Sequence, residues 1–448
     1  MDAEQLKKIF DIPARFIDVS VQQVESNSIV LKDGVAREVS SGEIFGVGVR
    51  VLDKTWGFVS SNSLEDIHAL AEKACRIARN GEKIEFAGSE AVEDRVKTIP
   101  KINPFDADME EKKEILHRAE RVAQDYREVV STSLAYSDSK INSLYLNSEG
   151  SRIEAEYTRV TFFSSVFAKK NGNVQVGFER LGSVAGLEAL QNAADAAKAA
   201  SERAIRLLDA GEAPSGNFKV ILDPKLAGVF IHEALGHAVE ADHVIQGESI
   251  LDGKLEQQIG SELVTVYDDA ALENSFGFYF YDSEGTRGKK KTLLENGILK
   301  TYLHSRETSA KLKQENTGNA RAQGFGYQPI VRMSNTYIEP RDFSFEEILE
   351  DIKYGVYLKG SKGGEVDTVR GVFQFSAEEG FLIENGEITK PIKDVALSGK
   401  TLEILKSIDA VGSDFGLHIG FCGKAAQLVP VSDGGATIRT FATVGGTK

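Results

Sequence analysis

The stretch Phe218 to His243, FKVILDPKLAGVFIHEALGHAVEADH, decides the reading of this chain. Phe218 to Leu222 is an apolar run of β type, Asp223 is a favourable helix N-cap, and Pro224 suits the first helical position, where a missing N–H costs nothing. The pattern predicts a strand followed by a helix that starts near Pro224. That helix carries His232, Glu233 and His237, an H-E-x-x-x-H spacing. On a regular helix residues five apart point about 140° away from each other, whereas residues four apart differ by only about 40°. Two imidazoles at this spacing can share one ion only if the helix is distorted, by a π-bulge or by loosening at Gly236.

Histidine usage is concentrated here: of 7 in the chain, three (His232, His237 and His243) fall within this segment. The 2 cysteines are Cys75 and Cys422, and Cys422 stands in the glycine-flanked loop GFCGK. A thiolate there could close a His/His/Cys set, leaving the fourth position of a zinc ion open to water. Glu233, next to the first histidine, is placed to act as general base on that water rather than as a ligand. His243 and Glu240 remain alternatives for the third ligand, and Glu240 and Asp242 could instead orient the imidazole N–H groups. Cys75, inside the helical run LAEKACRIARN, reads as a small buried hydrophobe. His68 and His117 have no clustered partners and read as structural, while His304 and His418 are open as substrate contacts.

At 448 residues the chain exceeds one ordinary core, and 41% hydrophobic with 27% charged residues is a globular composition. A net charge of -15 and a pI near 5.2 argue against direct nucleic-acid binding, which needs a basic surface. The basic run Arg287 to Lys291 reads as a solvated hairpin loop. Two cysteines far apart make no disulfide framework, and the opening MDAEQLKKIF has no apolar stretch long enough for a signal peptide or a membrane span. A cytoplasmic location is the expectation.

The N-terminal half reads as a short helix near Ala3 to Phe10, a β-meander from Arg15 to Ser60 with a turn at Asp33-Gly34, and helices from Ser63, as N-cap, and over Asp108 to Glu128. A second meander over Val129 to Val184, with a turn at Asn171-Gly172, and an alanine-rich helix over Leu187 to Leu208 follow. The segment Gly211 to Gly216 then punctuates the chain, dividing it into an N-terminal domain, 1–212, and a C-terminal domain, 213–448. Beyond His243 short β-type runs alternate with turns. The two Glu-Asn-Gly triplets at Glu295 and Glu384 suit type I′ hairpins, Gly363-Gly364 and Gly434-Gly435 read as ordinary turns, and helices are expected at Ser305 to Gln314, Phe345 to Tyr354 and Gly399 to Ser407. The expected class is α+β, two domains, each with largely antiparallel sheets and flanking helices.

The segment HEALGHAVEAD resembles the motif of the TldD/PmbA family of metalloproteases, also called modulators of DNA gyrase. Further blocks agree in order: DSEGT (Asp282 to Thr286), LLENGILKTYL (Leu293 to Leu303), TGNAR (Thr317 to Arg321), RMSNTYI (Arg332 to Ile338), FLIENGEIT (Phe381 to Thr389) and CGKAAQLVPV (Cys422 to Val431). GVGVRVLDKTWGFVSS (Gly46 to Ser61) is similar more loosely. The histidine motif matches the zinc-bearing type of the family rather than its metal-free paralogue. The resemblance implies Zn2+ held by His232, His237 and Cys422, with Glu233 as the catalytic base. It also implies a two-domain subunit that forms a homodimer, or a heterodimer with a metal-free TldE/PmbA-type paralogue, around a cavity where peptides are cut. One departure is Ala425-Ala426, where a glycine is expected before Gln427, and it bears on the conformation of that loop.

The resulting expectation is a zinc-dependent peptidase acting on small or unfolded peptides, which could be held as an added strand on a sheet edge. Two alternatives stand beside it. A deformylase-like amidohydrolase also combines two histidines, a cysteine and a glutamate, but with shorter histidine spacing and a cysteine that precedes the helix. A non-catalytic partner or regulatory protein would have no need of Glu233 beside an open metal position.

Overall fold

Four long strands, Phe16–Lys32, Val35–Leu52, Val129–Asn147 and Arg152–Lys170, form the centre of a seven-stranded sheet in the computed structural model, which describes residues 6–446. Two-residue turns close two of its hairpins, while Ser148 to Ser151 joins Val129–Asn147 to Arg152–Lys170. Asp33-Gly34 and Asn171-Gly172 all have positive φ, the geometry that keeps twisted strands in register. The two expected meanders are one sheet, because Phe16–Lys32 pairs antiparallel with Val129–Asn147 from Asp18↔Asn147 to Lys32↔Ser133.

Period-two alternation gives this sheet two unlike faces. On the first strand Ile17, Val19, Val21, Ile29 and Leu31 are buried under helices, Ile67–Ala78 at one end and Met109–Gln124 with Ala193–Leu208 at the other. The intervening Ser20, Gln22, Val24, Ser26 and Ser28 face a cavity beneath the C-terminal half. Helix starts follow capping chemistry. Asp108 and Glu111 form a capping box, whereas Ser63 caps only a turn and the helix begins at Ile67, with Asp66 as N-cap. The alanine-rich run splits into a 3₁₀ turn, Leu187–Leu190, and the helix Ala193–Leu208. Of the helix expected near Ala3 to Phe10, residues 3–5 lie outside the described residues, and a 3₁₀ turn spans Lys8–Asp11.

In the C-terminal half Gly216–Leu222 runs antiparallel to Ile438–Gly446 and parallel to Tyr354–Lys359 inside a ten-stranded sheet. A six-stranded sheet includes Val266–Asp269, Asn335–Ile338, Gln427–Gly435 and Gly416–Lys424. The largest apolar core includes residues of both sheets and of the helix Pro224–Ile231, whose Leu226, Ala227, Phe230 and Ile231 are fully buried. The fold is therefore α+β with largely antiparallel sheets. Both Asn-Gly turns, Asn296-Gly297 and Asn385-Gly386, have positive φ and close hairpins as expected.

Two local expectations are corrected. Gly363-Gly364 and Gly434-Gly435 lie within strands, Gly363–Asp367 and Gln427–Gly435, rather than in turns. The basic run is not merely a solvated loop, since Lys291 is buried in the strand Lys290–Glu295 with its Nζ 2.9 Å from Asp268.

Buried and part-buried ion pairs fasten the two halves together. Arg50 of the N-terminal sheet holds Asp18 and reaches Glu284 at 3.1 Å, while Arg306 pairs with Glu149 at 2.6 Å. Removing one partner from the fully buried Arg50 cluster costs roughly 3–5 kcal/mol. Among the described residues no helix is long and apolar enough to cross a membrane.

Candidate metal centre

The segment Phe218 to His243 folds as its residues direct. The strand Gly216–Leu222 ends at Asp223, whose carboxylate accepts from the Leu226 N–H at 2.9 Å and the Gly360 N–H at 3.0 Å, and the helix begins at Pro224. Gly228 lets this helix descend onto the strand Gln427–Gly435: a Cβ at Gly228 would lie 2.2 Å from the Gly434 nitrogen. Backbone thus meets backbone next to the site.

At His232 the α-helix gives way. His232–Gly236 is a π-helical turn and His237–Val239 a 3₁₀ turn, after which Ala241–Gln246 starts a new helix. The wider π turn brings residues five apart to one side, which resolves the angular conflict of the H-E-x-x-x-H spacing. The His232 and His237 rings stand 5.2 Å apart, centroid to centroid, at 90°.

Cys422 comes from the hairpin Gly416–Lys424 and Gln427–Gly435, where it pairs with Val429. Its Sγ lies 3.6 Å from His237 Nε2, and one donor atom from each of His232, His237 and Cys422 falls within 4.8 Å of the others. Zn–N near 2.05 Å and Zn–S near 2.3 Å at a tetrahedral angle require an N···S separation of roughly 3.5 Å. His232 is buried and its Nδ1 has no hydrogen-bond partner among the described residues. Spacing, donor type and the orphaned nitrogen all fit a zinc ion.

The electrostatics agree. Burial opposes charge on His232, yet the Cys422 sulfur and Glu233 raise its pKa to about 9. Burial likewise opposes charge on His237, and Glu240 with Cys422 raise it well above the ordinary range. Cys422 is held well below the usual thiol range by His232 and His237 although burial works the other way. These shifts favour a thiolate flanked by protonated imidazoles, whose two protons a divalent cation would displace.

Around the trio the remaining groups sort themselves by contact. Glu233 is part-exposed, with its Oε2 3.8 Å from His237 Nε2. His237 Nδ1 is 3.0 Å from Oε2 of the fully buried Glu240. Glu240, Asp242 and His243 converge closely enough to be a second metal group, but Lys424 already fills that place: its Nζ donates to Glu240 at 3.0 Å and to both Asp242 oxygens at 2.7 Å. His243 belongs to this cluster, 3.6 Å from Glu240 and 3.4 Å from Glu248, apart from the His/His/Cys trio. His304 is buried between Thr308 and Gln314, while burial, with help from Lys225, pushes His418 down to about 4, so that it is neutral. Cys75 is buried in the N-terminal core.

Sequence reasoning passed over three residues here. Lys424 stands two positions after Cys422 on a strand, hence on the same face, and that period was the available signal. Arg332, with no exposed surface, donates to the Cys422 carbonyl and braces the hairpin. Asp433 is buried, with Oδ2 unpartnered, and burial pushes its carboxyl up to about 6 against the lowering influence of His232. The hairpin itself turns through Ala425 and Ala426 with φ 49° and 56°. The departure noted in the sequence is thus a left-handed two-residue turn built without glycine.

Comparison with known proteins bears on the whole chain. Residues 17–78 match domain 1, residues 102–208 the central domain and residues 215–445 the C-terminal domain of the PmbA/TldA metallopeptidases. A metalloprotease of Methanocaldococcus jannaschii is 51% identical over 99% of this chain and 100% of its own length. A zinc metalloprotease TldD homologue of Saccharolobus solfataricus is 32% identical over 97% of each chain. The crystal structure of TldE from Thermococcus kodakarensis shares the fold, with a TM-score of 0.81 at 18% identity over 99% of both chains.

Proposed function

Because the chain belongs to the TldD/PmbA family of metallopeptidases, we propose that it is a zinc-dependent peptidase in which His232, His237 and Cys422 hold the ion and Glu233 is the general base. The observation that carries this reading is the convergence of two imidazoles and a low-pKa thiol at zinc spacing, with a part-exposed carboxylate beside them. When bound, zinc supplies Lewis acidity to a water molecule and to the scissile carbonyl. Glu233 accepts a proton from the attacking water as its oxygen adds to the carbonyl carbon, and passes that proton to the amine nitrogen as the C–N bond breaks. Glu240 fixes the His237 ring through Nδ1, and Lys424 keeps Glu240 anionic.

In this reading residues 213–448 form the metallopeptidase domain, and residues 1–212 a second domain that closes over a peptide cavity. Short or unfolded peptides are the substrates, and a second copy or a metal-free TldE-type paralogue is the partner. Metal analysis of the purified chain, beside peptide digestion with and without chelator, tests the proposal. Glu233→Gln should retain zinc and lose roughly 10²–10⁴-fold in turnover, the usual cost of removing a general base. Full activity in the metal-replete variant would remove Glu233 from its role.

A further inference from the structure

The serine-rich face of the N-terminal sheet and the C-terminal half line a half-open cavity of about 920 Å³. This lies at the upper end of the volumes that ligand pockets occupy. The segment around Phe325 roofs it: the Phe325 N–H donates to Gln22 at 3.0 Å, and its ring fills the space where a Cβ on Gly46 would sit. The cavity does not include the histidines. It lies on the Phe421 and Pro430 face of the hairpin whose other face carries Cys422.

Two guanidinium groups face this cavity, and neither has an acidic partner among the described residues. Arg159 makes one long hydrogen bond, to the Phe278 carbonyl at 3.4 Å, lies over the Tyr157 ring at 5.4 Å, and its buried Nε has no partner among the described residues. Arg321, almost fully buried, spends its N–H groups on the backbone carbonyls of Met333 and Pro430. The acids that line the cavity are engaged elsewhere. Asp138 holds the Lys112 ammonium at 2.6 Å, and Asp282 accepts from the backbone N–H groups of Glu284, Thr286 and Ala320. Burial and the nearness of Arg321 lower the Arg159 pKa to about 10, the mark of a cation lacking its counter-charge.

In a chain of net charge -15, an inward pair of unpaired arginines is a costly arrangement unless a ligand completes it. A planar carboxylate fits, because it can accept charge-assisted hydrogen bonds from the Nη N–H groups of Arg159, which spend only one long bond on the protein. We propose that Arg159, with Arg321 supporting it, is a carboxylate-binding subsite that anchors the free C-terminus or an acidic side chain of a short peptide. This deepens the peptidase reading and rests on it for the identification of the ligand as a peptide.

Binding separates the two questions. Dye-labelled alanine-serine hexapeptides are titrated by fluorescence anisotropy into the metal-replete chain carrying Glu233→Gln, so that nothing is cleaved. One peptide ends in a free acid and one in an amide, and two further amides carry an internal Glu or Gln. At least one acid should bind roughly tenfold or more tighter than its neutral isostere, as befits hydrogen bonds between charged groups. The free-acid pair and the Glu/Gln pair show which source of carboxylate is taken. Adding Arg159→Gln should erase that preference, and Arg159→Lys should keep part of it, with an unchanged melting temperature showing that both variants fold. Equal affinity for acid and neutral peptides in the chain with Arg159 intact overturns the subsite, as does a preference that survives Arg159→Gln. If the acid preference is found while no peptide is cleaved by the wild-type chain, the subsite stands and the peptidase reading falls.

Discussion

Replacing Lys424 with methionine tests how far the metal centre depends on groups that do not touch the metal. The ammonium donates to Glu240, to both oxygens of Asp242 and to the Val331 carbonyl at 3.1 Å, and Lys424 and Cys422 leave the same strand two residues apart. Its removal strands the carboxylate of Glu240, which has no exposed surface. A buried pair broken in this way costs roughly 3–5 kcal/mol, and the partial exposure of Lys424 and Asp242 reduces that to about 2–3 kcal/mol. Burial alone would raise the Glu240 pKa, but His237 and Lys424 bring it down to about 2. Its folded pKa is thus below the unfolded value near 4.3, so its stabilisation is present above about pH 4.3 and lost as pH falls towards 2. The stability difference between wild type and Lys424→Met should shrink over that window. Without Lys424, Glu240 is a poorer anionic acceptor for the His237 ring, and supporting contacts of this kind are typically worth 10–100-fold in metal affinity, about 1.4–2.7 kcal/mol. Zinc competition against a chromogenic chelator, beside thermal melts and a Lys424→Arg control that keeps the charge, measures both effects. A zinc dissociation constant within twofold of wild type in Lys424→Met, or an equal loss in Lys424→Arg, would refute the reasoning.

Three further outcomes follow from residues already described. Cys422→Ala should release zinc and peptidase activity together, while Cys75→Ala, in a core remote from the centre, should alter neither; stoichiometric zinc in the Cys422 variant would return the third ligand to Glu240 or His243. Changing Ala425-Ala426 to Asn-Gly should raise stability by about 1 kcal/mol or more, read as a higher denaturation midpoint at unchanged slope, because both alanines hold a left-handed φ that costs roughly 1–2 kcal/mol each. Burial, together with Glu284, pushes the Asp282 carboxyl up to about 7, so the folded state binds an extra proton between about pH 4 and 7 and its stability contribution declines as pH rises through that range. Asp282→Asn should flatten that decline, and an unchanged pH profile would show that Asp282 is not the group responsible.

Local chemistry made much of this legible before any coordinates. Asp223-Pro224 placed the start of the site helix, the Asn-Gly and Asp-Gly pairs placed the hairpins, and the five-residue histidine spacing demanded the distortion found at His232–Gly236. What escaped depends on partners distant in sequence. No local signal joins Phe16–Lys32 to Val129–Asn147 and so turns two meanders into one sheet. Gly434 looks like a turn residue until Gly228, 206 positions earlier, is seen pressed against it. Arg159 lies in an ordinary alternating strand, and only the arrival of Phe325 and Arg321 from the other half makes its surroundings a cavity. Ser63 misled for the opposite reason, since its hydroxyl satisfied a nearby turn before the helix could use it.

The order in which the donors occur along the chain also sets when the centre can exist during synthesis. His237 leaves the ribosome 185 residues ahead of Cys422, an interval of roughly 10–40 s at about 5–20 residues per second. The strand Gly216–Leu222, which launches the site helix, meanwhile waits for Ile438–Gly446 to cover one of its edges. A nascent chain therefore carries both histidines and Glu233 through those 185 residues of synthesis without the thiolate or the finished sheet that would align them. The donor set closes only after Cys422 has been made, and a product truncated before that residue would be born without the set.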